Sequence, residues 1–174
     1  MTLDRRTLLK RGLWGGVLLA AGGSTWLALR PSARVDLPPE PLHVLSAAHF
    51  AILLAVVTRC VPPPASTPAT CRDTVVRLDT TLARADARTR KDVLQLLGLL
   101  DNALAGFLLD GEATPFSRLE AAAQDAVLEG WRRSRIALRR TGYQALRRLA
   151  TTHFYADPAS WAGIGYPGPP RGLR

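Results

Sequence analysis

The chain is poor in the residues from which a resident metal or redox centre is built. It has two cysteines, Cys60 and Cys71, and three histidines in 174 residues. No Cys-x-x-Cys-His occurs, so no c-type haem is attached, and two thiols alone cannot hold an iron–sulfur cluster. His43, His49 and His153 are scattered without metal-ligand spacing; the first two read as helix-end or surface residues. There is no Gly-x-Gly-x-x-Gly and no phosphate loop, so the chain has no nucleotide fingerprint of its own. His153, Asp157 and Ser160 are close in sequence, but no Gly-x-Ser-x-Gly elbow or strand–turn–helix context makes them a triad. No stretch alternates apolar and polar residues as a half-buried strand would. The expectation is a non-catalytic, all-α chain without a cofactor or metal of its own.

What is present begins at the N-terminus. Asp4-Arg5-Arg6-Thr7-Leu8-Leu9-Lys10 precedes eighteen uncharged residues, Gly12 to Leu29. A basic head before an apolar run is an export signal. The pair Arg5 and Arg6, with Leu8, Leu9 and Lys10 in register, points to the twin-arginine route. The pattern is Ser/Thr-Arg-Arg-x-Phe-Leu-Lys, and Asp4 and Leu8 are the two departures from it. Five glycines dilute the run, as suits twin-arginine signals, which are less hydrophobic than general secretory ones. The competing reading is a plain anchor, since a spanning helix needs ~20 apolar residues and manages with ~17. Pro31-Ser32-Ala33 is a poor peptidase site, so residues 1–29 are a signal or an uncleaved anchor, and residues 30–43, with four prolines up to Pro41, are an extended linker. The expected location is the periplasm, attached to the inner membrane if the segment stays. The twin-arginine translocase carries folded proteins, often with a cofactor or partner already bound.

About 140 residues remain, enough for one core. The net charge is +9, and the N-terminal signal and linker supply about a third of it, six basic residues less Asp4, Asp36 and Glu40. The rest intersperses acids with arginines, which does not read as a nucleic-acid protein.

Five helices are expected over 44–152. Ser46 caps the first, which carries Phe50, Leu53, Leu54 and Val57 at 3, 4, 7 spacing and ends near Cys60 before Val61-Pro62-Pro63-Pro64. Thr70 caps a second, about 71–85, with Val75, Leu78 and Leu82 inward. Thr89 caps a third, about 90–109, whose Val93, Leu94, Leu96, Leu97, Leu100, Leu104, Phe107 and Leu108 make it the most apolar and the expected centre; Gly98 and Gly106 invite close helix packing. A fourth starts at Thr114-Pro115-Phe116-Ser117, with Ser117 and Glu120 in capping-box spacing and Leu119, Ala122, Ala123, Ala126, Val127 and Trp131 inward. A fifth, about 134–152, uses Ile136, Tyr143, Leu146, Leu149 and Ala150. The class is a small helical bundle.

Two stretches look outward. Seven arginines lie between Arg132 and Arg148. Most read as a solvated face, but Arg132, Arg135 and Arg139 trespass toward the side of Leu146 and Leu149, and arginine suits partner contacts. Residues 153–174 form an irregular tail rich in aromatics, glycine and proline, which needs a surface to lie on, its own bundle or a partner. Tyr155, Asp157, Pro158, Trp161 and Tyr166 join the three arginines as the expected partner-binding set. Cys60 and Cys71 flank the loop between the first two helices, and in an oxidising compartment they are expected to form a disulfide.

The twin arginines, the first helix ending in a proline-rich turn, and Phe-Tyr-x-Asp-Pro…Gly-Tyr-Pro-Gly-Pro-Pro at the C-terminus resemble the gluconate 2-dehydrogenase subunit 3 family. The tail from Phe154 to Pro170 is the specific part. That family often has a Pro-Gly-Ala-like turn between its first helices; this chain has Pro-Pro-Pro-Ala-Ser-Thr-Pro-Ala-Thr-Cys there. The resemblance implies a small subunit of a membrane-associated dehydrogenase. Its partner would be a flavoprotein of the glucose–methanol–choline (GMC) type, holding FAD and lacking its own signal, often with a multihaem cytochrome c that takes the electrons. The alternative is a stand-alone, membrane-anchored helical envelope protein with no redox partner.

Overall fold

Proline and short polar side chains set where three of the five described helices begin. The computed structural model describes residues 36–38, 41–63, 65–102 and 114–169. The chain divides into two units, Met1–Ser32 and Ala33–Arg174, and every described residue belongs to the second. The signal residues Arg5, Arg6, Leu8, Leu9 and Lys10 lie outside the described residues, as do Leu104, Gly106, Phe107 and Leu108. Among the described residues the fold is all-α, with five α-helices, three short 3-10 turns and no strand, and no helix there is long and apolar enough to cross a membrane.

Helix α1 (Ala47–Cys60) starts at Ser46, whose hydroxyl accepts the His49 N–H. Helix α2 (Pro68–Arg84) starts three residues before the sequence expectation. Thr67 caps it, and Thr67 and Thr70 exchange side-chain-to-backbone bonds in a capping box. Pro68 explains the earlier start, because its fixed φ suits a first turn and it has no N–H to satisfy. Helix α3 (Ala87–Asp101) is capped by Asp86 rather than Thr89. One Asp86 oxygen accepts the Arg88 and Thr89 N–H groups, both at 2.9 Å, and the other takes the Thr89 hydroxyl, so the carboxylate satisfies more donors than a threonine could.

Helix α4 (Ala121–Arg133) starts later than expected. Phe116–Arg118 is a 3-10 turn, and Glu120 caps α4 without a side-chain bond. The Ser117–Glu120 box does not form, since the Ser117 N–H is directed to Asp101 Oδ1 at 2.7 Å. The buried stripe of α4 is Gln124, Val127, Leu128 and Trp131; Ala122 and Ala126 face out. Helix α5 (Ala137–Tyr155) runs three residues past the expected end, and Ile136, expected inside, is exposed at its N-cap. Its buried face is Arg139, Gly142, Leu146, Ala150 and Phe154.

The central helix is α1, not α3. It buries Phe50, Ala51, Ile52, Leu53, Val56 and Val57 and packs against each of the other four helices. The reason is composition: α1 carries no charge before Arg59, whereas α3 carries Arg88, Arg90, Lys91 and Asp92 in its first half. A helix apolar all round belongs inside. In α3 only Leu97 and Leu100 are buried; Val93, Leu94 and Leu96 are partly covered. Gly98 opens to solvent with nothing near its absent side chain, so it serves no close packing. Gly142 does: a Cβ there would meet Leu96 Cδ1 at 2.8 Å and the Trp131 ring at 2.9 Å.

The two cysteines are free thiols, which corrects the expected disulfide. They face different surroundings. Burial pushes the Cys60 thiol up to about 11, against Arg147 and with Asp125. Burial also raises Cys71, with the nearby Thr58, Thr70 and Arg59 pulling the other way. Neither carries the thiolate that makes a cysteine reactive.

Candidate functional site

The expected partner-binding residues fall into two groups at opposite ends of α5, a helix about 28 Å long by its residue count. Tyr155, Asp157, Pro158, Trp161 and Tyr166 gather at its C-terminal end. Arg132 and Arg135 lie at its N-terminal end.

At the C-terminal end the chain folds into a strap. Helix α5 closes with the Ala156 N–H bonded to the Phe154 and Thr152 carbonyls. Asp157 then caps the 3-10 turn Pro158–Ser160 through Ala159 N–H at 2.9 Å, with Pro158 at the first position. The other Asp157 oxygen accepts Arg77 Nη1 of α2 at 2.9 Å, in a pair with each side chain about one-third exposed. Ser160 is buried and its hydroxyl donates to the Asp157 carbonyl at 2.6 Å. Trp161 is half-buried, its indole N–H bonded to the Tyr155 carbonyl at 2.9 Å. A second 3-10 turn, Ala162–Ile164, ends at Gly165 with φ 68°, the left-handed value glycine tolerates. That reversal brings Tyr166 edge-on to Trp161 at 5.2 Å between ring centres, with the Tyr166 N–H on the Trp161 carbonyl. Gly168, φ 99°, passes so close to the Trp161 ring that a Cβ would stand 3.2 Å from it.

The tail is therefore bound to its own bundle, with one apolar edge left over. Phe154 is 2% exposed and belongs to the core, in edge-on contact with Tyr155. Ile164 and Tyr166 remain 52% and 44% exposed. Beneath the strap is a cavity of about 180 Å³ lined by Thr70, Arg77, Phe154, Asp157, Ser160 and Gly163. That is below the ~300–1,000 Å³ of small-molecule sites. Asp157 takes Arg77 Nη1, the Ser160 hydroxyl bonds the Asp157 carbonyl and Thr70 Oγ1 the Ala65 carbonyl, while Arg77 Nε is buried without a hydrogen-bond partner; His153 directs Nδ1 to the Leu149 carbonyl at 2.9 Å rather than to Asp157 or Ser160. The His153, Asp157 and Ser160 trio is not assembled. Among the described residues no group of three or more His, Cys, Asp or Glu is placed to hold a metal ion.

At the N-terminal end the three arginines part company. Arg132 lays a two-bond fork on Glu129, Nε and Nη2 each at 2.6 Å, and Arg133 joins the same carboxylate. The hydrogen bond from Arg132 is the main cause that holds the Glu129 carboxyl below its ordinary range. Arg135 is exposed. Arg139, expected at a partner surface, is instead 8% exposed with its guanidinium carbon 5.4 Å from the centre of the Trp131 ring. It shares the α5 face of Leu146, one heptad away, and the cation lies over an indole as a buried arginine prefers.

Two residues that the sequence reading passed over hold the segments before α1 and after α5 to α2. Arg77 anchors the strap. Asp79, 1% exposed, accepts the N–H groups of His43, Val44 and Leu45 at 2.6, 3.0 and 2.8 Å, and His43 Nδ1 at 3.1 Å. Burial alone would raise its carboxyl; these donors outweigh it and hold the group below the usual carboxylate range. The signal was legible: Asp79 sits between Leu78 and Leu82 on an apolar stripe, and a buried charge demands several partners.

Searches against family models, curated proteins and solved structures return no match for this chain.

Proposed function

We propose that the chain is the non-catalytic small subunit of a periplasmic, membrane-associated FAD-dependent dehydrogenase of the GMC type. It supports twin-arginine export and assembly of the flavoprotein subunit. The observation that carries the reading is the joint presence, in one chain, of the Arg5-Arg6 signal and the Phe154–Pro170 tail. The first addresses a folded cargo; the second resembles the tail of the gluconate 2-dehydrogenase subunit 3 family. In this reading the flavoprotein takes up FAD in the cytoplasm, docks on the small subunit and crosses as its passenger. A multihaem cytochrome c then takes the electrons. The unburied edge of the strap, Ile164 and Tyr166, supplies an aromatic and aliphatic contact of the kind that anchors protein interfaces.

The test is Arg5→Lys with Arg6→Lys. Charge and apolar run are kept, so a plain anchor survives, while a receptor that reads the guanidinium pair does not accept lysine. Fractionation with dye-linked dehydrogenase activity should find the flavoprotein stranded in the cytoplasm, active and flavin-loaded. Activity still in the periplasmic and membrane fractions overturns the passenger role. Loss of this chain alone from the envelope, with no flavoprotein following it, favours the stand-alone envelope protein. Co-purification of a yellow, FAD-containing polypeptide with the wild-type chain is the companion measurement.

A further inference from the structure

The turn between α4 and α5 is another outward feature among the described residues, and the strap reading does not use it. Ile136 and Leu138 are 45% and 61% exposed. Arg132 and Arg133 at the end of α4, Arg135 in the turn and Arg140 in the first turn of α5, all exposed, surround them in sequence. From Ala126 to Ala156 the chain has seven arginines and a single acid, Glu129, which Arg132 and Arg133 already engage. The turn is held rigid: Arg140 Nη1 donates to the Ser134 carbonyl at 2.7 Å, and the Ile136 N–H to Ser134 Oγ at 3.1 Å. Ile136 occupies the N-cap of α5, where it offers no side-chain bond and stays nearly half exposed. Neither helix capping nor the core accounts for an aliphatic residue there.

We propose that this tip is a membrane-surface contact, in which Ile136 and Leu138 enter the interface of an anionic bilayer and the arginines around them meet lipid phosphates. The chemistry is that of peripheral membrane segments, aliphatic insertion reinforced by cationic attraction. A protein partner fits less well. Interface hot spots are aromatic and seated in pockets, whereas of the two aromatic residues that flank the tip in sequence, Trp131 is turned inward beneath Arg139 and Tyr143 is partly buried against the core. The proposal stands on these residues and does not depend on the flavoprotein reading.

The full-length chain is tested by flotation with phosphatidylcholine vesicles, with and without phosphatidylglycerol, at low and high salt. The N-terminal segment contributes its own membrane affinity, so the readout is the difference between wild type and two tip variants, Ile136→Ser with Leu138→Ser, and Arg135→Glu. Both alter exposed side chains, and circular dichroism checks that the helices are kept. Each positive charge lost near an anionic surface lowers partitioning about fivefold, so Arg135→Glu should lose at least that factor on anionic vesicles and little on neutral ones. The double serine variant should lose binding to anionic vesicles at both salt concentrations. Equal binding by wild type and both variants overturns the proposal. So does a wild-type chain whose tip is needed to capture the flavoprotein but not to float with vesicles, which makes the tip a protein interface.

Discussion

The two ends of α5 put their polar and aromatic groups to different use. At the C-terminal end the contacts reach across the chain. Asp157 pairs with Arg77, Phe154 enters the core, and Ser160 is buried beneath the strap. At the N-terminal end most stay within a turn: Arg132 and Arg133 on Glu129, Arg140 on Ser134. The aromatic end thus belongs to the fold, and the arginine end largely decorates it. Long-range contacts make a segment structural, while local ones leave it free to meet something else. Arg139 is the exception, because the Trp131 ring gives it a buried partner.

The sharpest way to break this contrast is to cut the strap. Ending the chain after Thr152 removes Phe154, so stability should fall by about 3–5 kcal/mol, the usual cost of losing a buried phenylalanine. Ending it after Asp157 keeps both Phe154 and the Arg77 pair and should cost less, about 1–2 kcal/mol, for the burial lost at Ser160 and the half-buried Trp161. Urea denaturation of the two truncations compares them; matching midpoints would mean that Phe154 and the Arg77 pair do not hold this end in the fold.

Asp79 tests the same principle where the chain enters the bundle. Asp79→Ala strips the acceptor from three N–H groups, of which Leu45's is buried, and should cost about 2–3 kcal/mol. The sign with pH is fixed. The folded carboxyl titrates below the unfolded value of about 3.9, so its contribution is fully present above that value. It fades as pH falls from about 4 through the lower folded value. The alanine variant should lack that acid-side loss, and stability curves measured from neutral pH down to acid would expose its persistence.

Gly142→Ala probes the middle of α5, where the two ends meet one core. The added methyl faces Leu96, which can shift, and the Trp131 ring, which is 4% exposed and lies under Arg139. Overpacking of this kind costs about 1–3 kcal/mol, against the gain in helix propensity of about 1 kcal/mol that an exposed glycine position would give. Thermal denaturation decides; a raised midpoint would mean that Trp131 yields freely.

Much of this was readable from sequence. The all-α class and the five helices follow from periodicity and proline placement, and Ser46 was identified as a cap. The centre was misplaced because counting leucines favoured α3, while the absence of charge around α1 carried more weight. Caps slipped by up to three residues wherever two polar candidates competed, as with Thr67 against Thr70 and Asp86 against Thr89; the better hydrogen-bond geometry won, and composition does not encode it. The docking set split because residues adjacent on paper lie a helix apart. Arg139 was correctly placed on the Leu146 face, but its indole partner sits on another helix, beyond the reach of a helical wheel.

The smallest expected effect runs in the opposite direction to the others. Ile136 is the N-cap of α5, the first turn of that helix holds no acid, and Arg139 and Arg140 follow at its positive end. Ile136→Asp supplies a capping acceptor and a charge that suits the helix dipole, so it should raise stability by about 0.5–1 kcal/mol. The same substitution replaces one of the two aliphatic side chains at the tip with a carboxylate and cancels an arginine's charge, so flotation with anionic vesicles should weaken more than fivefold. A variant that folds better and binds membrane worse would place the role of Ile136 outside the fold. A variant that gains stability and floats as wild type would leave the tip as surface without a ligand, and denaturation and flotation on one preparation separate the two outcomes.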